Sequence, residues 1–148
     1  MKNLNKKVFL VQTDTTVGFL SQSSDSLSQL KQRPNDKPFV SVTSSFKELK
    51  KLCRVPKEQA SRVRRSKKTS FVYANNRAIR VIKEETHAEF LKPFAWMYST
   101  SANDAGKSFD EGFAFAKSDI IVEEINGFFE GESSSIYRLH RDTRKRLR

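Results

Sequence analysis

Ser99-Thr100-Ser101-Ala102-Asn103 follows an apolar run, Phe94 to Tyr98, that reads as a buried strand. It precedes Asp104-Ala105-Gly106 and an amphipathic segment from Phe109. A row of small hydroxyl and amide side chains therefore lies between a strand and a helix, where open α/β sheets bind ligands. Ser101 and Asn103 stand two apart in an extended chain and so share one side of it. By composition the same stretch also reads as an ordinary polar loop, so the surrounding chain has to decide.

Working outward, Val8–Gln12 and Val17–Leu20 read as short strands around Thr13-Asp14-Thr15-Thr16. Leu27 and Leu30 suggest a brief helix that ends by Pro34, and Asn35 to Pro38 reads as a turn before a strand at Phe39–Thr43. Ser45-Phe46-Lys47-Glu48, Thr86-His87-Ala88-Glu89 and Ser108-Phe109-Asp110-Glu111 each have the spacing of a capping box. Pro56 suits the first turn of a further helix, to about Arg64, and Pro93 a helix stop. Thr69–Ala74 and Ala78–Val81 form a hairpin around Asn75-Asn76. Ile120–Val122 and Ser134–Leu139 are the last strands, with a turn at Asn126-Gly127. Strands and short helices alternate and a hairpin is present, which predicts an α/β (α+β) fold with a mixed sheet. The expected organisation is one domain over 1–140 and a basic tail over 141–148, which has almost nothing to bury and is expected to be mobile or bound to an anion.

The chain has 148 residues and a formal charge of +11. That charge favours polyanionic partners, such as nucleotides, RNA or an acidic protein face, without choosing among them, and it also serves solubility. Ten of the basic residues lie between Lys47 and Lys68, against Glu48 and Glu58, and five more between Arg141 and Arg148. Cys53 is the single cysteine, which excludes an intrachain disulfide, fits a reducing compartment and reads as a small core residue. Val8–Val11 is too short for a signal-peptide core and no stretch suffices to cross a membrane, so a soluble, cytoplasmic protein is expected.

There is neither GxGxxG nor GxxxxGK[ST], and His87 and His140 read as surface residues with no nucleophile or acid spaced around them. Three small clusters remain: Thr13-Asp14-Thr15, then Lys31-Gln32-Arg33-Pro34 with Lys37-Pro38, then Ser101-Ala102-Asn103. Lys31 and Arg33 at a helix end also suit the helix dipole with no further role.

Together these clusters resemble the YrdC/YciO-type family, which includes threonylcarbamoyl-AMP synthase, from about Val8 to Leu139. Gln12 to Gly18 is similar to the family's Pro-Thr-Glu/Asp-Thr-Val-Tyr-Gly. Lys31-Gln32-Arg33-Pro34 and Lys37-Pro38 match Lys-x-Arg-Pro…Lys-Pro. Ile79-Arg80-Val81 corresponds to Val-Arg-Val, Ser99 to Gly106 to Ser-Thr-Ser-Ala-Asn-x-Ser/Ala-Gly, and Ser134-Ser135-Ile136-Tyr137 to Ser-Thr-Val-Val. The chain departs at Gln12, Val17, Val42, Ile82 and Arg65–Thr69, and in a short segment between Gly18 and Lys31. These departures fall around the amino-acid pocket more than the nucleotide site.

The resemblance implies a YrdC-like twisted mixed sheet packed with short helices around a basic concave cleft. It implies a nucleotidyltransferase that makes threonylcarbamoyl-AMP and pyrophosphate from L-threonine, bicarbonate and ATP, for tRNA threonylcarbamoyladenosine modification with partner proteins. Lys31 and Arg33 would be catalytic and would bind ATP with Ser99, Ser101 and Asn103. Thr13, Thr15, Arg80 and Ser134 would bind threonine. Mg2+ would arrive on the ATP phosphates, with no dedicated protein ligands, and Asp14 would be at most an indirect contact. The alternatives are a non-catalytic RNA-binding module of the same fold, or a YciO-like paralogue with another substrate.

Overall fold

The computed structural model describes residues 4–34, 38–104 and 106–148. The chain divides into two compact units: unit 1 is Met1–Phe39 with Met97–Glu132, and unit 2 is Val40–Trp96 with Ser133–Arg148. Asn35–Lys37 of the expected Asn35–Pro38 turn, and Ala105, lie outside the described residues.

Unit 1 begins with β1 (Phe9–Gln12) and β2 (Val17–Ser21), paired antiparallel with Phe9 opposite Leu20. Helix α1 (Ser24–Lys31) starts on Ser23, whose hydroxyl accepts the Ser26 N–H at 3.1 Å. It stops at Gln32, which takes a left-handed conformation (φ 53°) while the Arg33 N–H donates back to the Ser28 carbonyl. Strand β6 (Trp96–Ser101) pairs antiparallel with β2, putting Ser101 opposite Gly18. Helix α5 (Glu111–Lys117) leads to β7 (Ile120–Ile121), parallel to β1. Phe19, Leu27, Ala102 and Ala114 meet in the core of this unit.

In unit 2 the sheet order is β3 (Val40–Thr43), β5 (Ala78–Val81), β4 (Thr69–Val72), β8 (Ser135–Leu139) and β9 (Arg144–Arg146). The β3–β5 and β4–β8 pairs are parallel; β4–β5 and β8–β9 are antiparallel. Helices α2 (Phe46–Leu52) and α3 (Ala60–Arg65) supply Leu49 and Val63 to a core with Phe71, Tyr73, Ile79 and Val81. Helix α4 is Glu85–Leu91.

The mixed α/β architecture follows the sequence, with local corrections. Ser45 caps α2 as its spacing predicts. The other two caps fall elsewhere: Glu84 accepts the N–H groups of Thr86 and His87, and Asp110 that of Gly112. A carboxylate next to the first turn takes the helix start because it adds charge to the hydrogen bond. α4 ends at Leu91, before Pro93 as expected, and a 3-10 turn follows through Lys92–Phe94. His87 is buried, 1% exposed, and stacks on Phe90, because α4 turns that side inward. The basic tail is not without partners: Arg144–Arg146 add a strand to β8. Backbone pairing holds a segment that has no apolar side to bury.

Candidate functional site

In unit 1 the polar motif is partly strand rather than loop. Ser99, Thr100 and Ser101 are the last residues of β6, paired with Leu20, Phe19 and Gly18. Thr100 and Ala102 therefore share the face of Phe19, where Ala102 is buried. Ser99 and Ser101 share the other face, and the Ser101 hydroxyl donates to Asn103 Oδ1. Gly18 permits this pairing at close range, since a Cβ there would stand 3.2 Å from the Thr100 carbonyl oxygen.

Lys31 reaches this strand end from the last turn of α1. Its Nζ lies 3.0 Å from the Ser101 carbonyl oxygen, 2.7 Å from that of Asn103 and 3.2 Å from Asn103 Oδ1. An ammonium has three N–H donors, and three oxygens receive them. Lys31 is only 9% exposed; burial, and then the Arg33 charge, lower its pKa from the usual lysine value, while Asp104 acts the other way. The Asn103 amide nitrogen donates to the Lys107 carbonyl, which fixes which side of the amide faces Lys31.

Arg33 stands beside this cluster with its guanidinium 4.2 Å above the Phe39 ring and one NH2 bonded to the Pro38 carbonyl at 2.9 Å. Its Nε is buried with no hydrogen-bond partner among the described residues. Lys37 lies outside them.

Thr13 and Thr15 are both buried, 6% and 7% exposed, in the turn between β1 and β2. The Thr13 hydroxyl donates to the Thr16 carbonyl, accepts the Thr15 N–H and lies 3.2 Å from the Thr15 hydroxyl. The segment before Glu132 crosses this turn: the Phe129 carbonyl accepts the Val17 N–H, and the Gly131 N–H donates to the Thr16 hydroxyl. A Cβ on Gly131 would sit 1.8 Å from the Thr15 carbonyl oxygen, so only glycine fits there.

In unit 2, Arg80 (5% exposed) faces Ser70 across the β4–β5 pair and Val42 across the β3–β5 pair. Directly opposite residues share a face. The Ser70 and Ser134 hydroxyls are 2.9 Å apart, and both are buried. Arg148 donates through Nε to the Ser134 carbonyl and through NH2 to its hydroxyl. The sequence reading named Arg80 and Ser134 but missed Ser70 and Arg148. Finding Ser70 needed the hairpin register, and finding Arg148 needed the pairing of the tail.

Elsewhere, burial pushes the Cys53 thiol up to about 11, against a smaller opposing effect of Arg77, so it is a poor nucleophile at neutral pH. Among the described residues, no group of three or more His, Cys, Asp or Glu could hold a metal ion, and no helix is long and apolar enough to cross a membrane. The Lys31 cluster in unit 1 sets hydroxyl and amide groups beside a cation, a donor set that suits an anion.

Residues 4–148 match the family model Sua5_yciO_yrdC, described as telomere recombination. The chain belongs to the Sua5/YciO/YrdC family. No curated protein sequence matches it. Among solved structures it is similar to Sua5 of P. abyssi complexed with L-threonine, at 19% identity and a TM-score of 0.76, covering 97% of this chain and 50% of that one. E. coli YciO is 17% identical with a TM-score of 0.72, covering 96% and 82%. HypF in a phosphate- and nucleotide-bound form is 15% identical with a TM-score of 0.75, covering 97% and 27%. The chain thus spans about half the length of the Sua5 structure.

Proposed function

We propose that the protein is a threonylcarbamoyl-AMP synthase acting in tRNA threonylcarbamoyladenosine formation. The observation that carries this reading is the seating of Lys31 on Ser101 and Asn103, which joins two family motifs about seventy residues apart into one polar, cationic cluster. Threonine and bicarbonate lose water to give N-carboxythreonine. A carbamate oxygen then forms a bond to the α-phosphorus of ATP as the bond to pyrophosphate breaks.

Such a step depends on positioning and on cancelling phosphate charge more than on a protein nucleophile. In this reading Arg33 meets a phosphate through its guanidinium edge while Phe39 holds its face. Lys31 supplies a buried positive charge, and an incoming phosphate oxygen takes the place of Asn103 Oδ1, the longest of its three contacts. Ser99, Ser101 and the released Asn103 side chain complete the ATP contacts. Mg2+ comes with the ATP phosphates. Thr13 and Thr15 line the threonine side chain's surroundings, and Arg80 and Ser134 hold its carboxylate. Soluble, cytoplasmic action on a tRNA, with partner proteins taking over the threonylcarbamoyl group, completes the proposal.

The likeness to threonine-complexed Sua5 and to nucleotide-bound HypF supports this reading at the level of the fold. Thermal unfolding with ATP, with threonine and with both tests it. Each ligand at 100 times its dissociation constant is expected to add about 2.7 kcal/mol. Stabilisation by neither would refute the reading.

A further inference from the structure

The cations that Lys31 and Arg33 leave unexplained are concentrated on the helical side of unit 2, where the structure arranges them on aromatic rings. Lys50 and Arg64 both sit over Phe46, at 5.5 and 4.5 Å from the ring centroid. Arg144 and Arg146 both sit over Tyr137, at 4.7 and 5.8 Å. Phe46 and Tyr137 pack against the same core cluster, with Leu49 of α2 and Val63 of α3. The tail is fastened to the start of α3, since the buried Gln59 donates to the carbonyls of both His140 and Thr143 at 3.0 Å. α2, α3 and β9 thus present one exposed basic face. Of the three acids in these segments, Glu48 is paired with Lys51 and Glu58 with Arg141, which leaves Asp142 against the many cations.

We propose that this face, centred on Lys50, Arg64, Arg144 and Arg146, is a docking surface for the phosphate backbone of a structured RNA. A guanidinium held flat on a ring keeps its N–H edge free for two parallel bonds to a phosphate. Its side chain is already ordered, which lowers the entropic cost of binding. A protein partner would require an apolar centre and a membrane an apolar wedge. Of the exposed large hydrophobics among the described residues, Phe115, Ile121, Ile125 and Phe129 belong to unit 1, and unit 2 has Leu147 alone. The choice of RNA over DNA rests on the function proposed above.

The test measures binding of a tRNA transcript against salt, without ATP or threonine, so that it stands apart from the synthase reading. Replacing Lys50, Arg64, Arg144 and Arg146 by Gln is expected to flatten the slope of log K against log salt by about three. A control with Lys6, Lys7, Lys92 and Lys117 replaced by Gln removes the same charge from other exposed positions and is expected to change the slope by less than about one. Pyrophosphate formation is expected to be unchanged in both. Should the fourfold variant unfold, Arg144→Gln with Arg146→Gln, on the outer strand alone, should flatten the slope by about one and a half. Equal slopes for the patch and control variants would overturn the proposal. So would polyglutamate, or phosphatidylserine vesicles, binding as tightly as the tRNA at the same salt.

Discussion

The Nζ of Lys31 lies 2.7 Å from the carbonyl oxygen of Asn103, a residue 72 positions further along the chain. The contact joins the end of α1 to the end of β6 and uses a charge to do so. It gives Lys31 a structural role beside the one proposed for it, which its position at a helix end does not suggest. An exposed lysine there would contribute little; this one is buried with three acceptors.

Lys31→Met should therefore destabilise the protein by about 1–3 kcal/mol, because three oxygens lose a charged donor. Urea unfolding measures this. Arg33→Ala, on a partly exposed residue, should change stability by less than about 1 kcal/mol. It should nevertheless cost on the order of 2–4 kcal/mol of transition-state stabilisation in the proposed reaction.

The lowered pKa of Lys31 gives a pH signature. The folded protein holds this proton less tightly than the unfolded chain, so unfolding takes up a proton between the lowered value and the usual 10.5. The Lys31 contribution to stability thus rises with pH across that window, while ATP affinity falls as the charge is lost. Chemical denaturation over alkaline pH should show the rise in the native protein and not in Lys31→Met.

Glu84 gives the same sign in the acid range, since its pKa too is lower in the folded protein. Burial would raise its pKa, but the N–H groups of His87 and Thr86 outweigh that and lower it. Its capping contribution is present above the unfolded-state value and disappears as pH falls through the folded one. Glu84→Ala should cost about 1 kcal/mol at neutral pH and progressively less in acid.

Much of this was legible in the residues, and the gaps have physical causes. Short apolar, β-branched runs and turn residues locate β1, β2 and β3 to within a residue or so. Register is harder. Asn75-Asn76 reads as a two-residue turn, which would set Ser70 opposite Val81. In the structure Tyr73 pairs with Arg77 and Asn76 is left-handed at φ 64°, giving a three-residue loop. That one-residue slip turns Ser70 towards Arg80. The polar motif was legible as a motif, but Ser99–Ser101 reads as loop because its side chains are small; only pairing with β2 makes it strand.

Ser70 should accordingly act as a positioning residue for Ser134. Ser70→Ala removes one buried hydrogen bond, worth about 1 kcal/mol. The account expects KM for threonine to rise roughly fivefold with kcat nearly unchanged, and Ser70→Thr to restore it in part. A merely structural role would lower the melting temperature and leave KM alone.

Gly131→Ala forces the crossing segment off the Thr15 carbonyl. Threonine affinity should fall while ATP affinity holds, and titrating each ligand separately measures the difference.

The central claim is tested most directly by pyrophosphate release from ATP with Mg2+, threonine and bicarbonate, omitting one component at a time. The account predicts release that requires threonine and bicarbonate together and is lost in Arg33→Ala. Release that is indifferent to threonine, or none above a blank without protein, would contradict it.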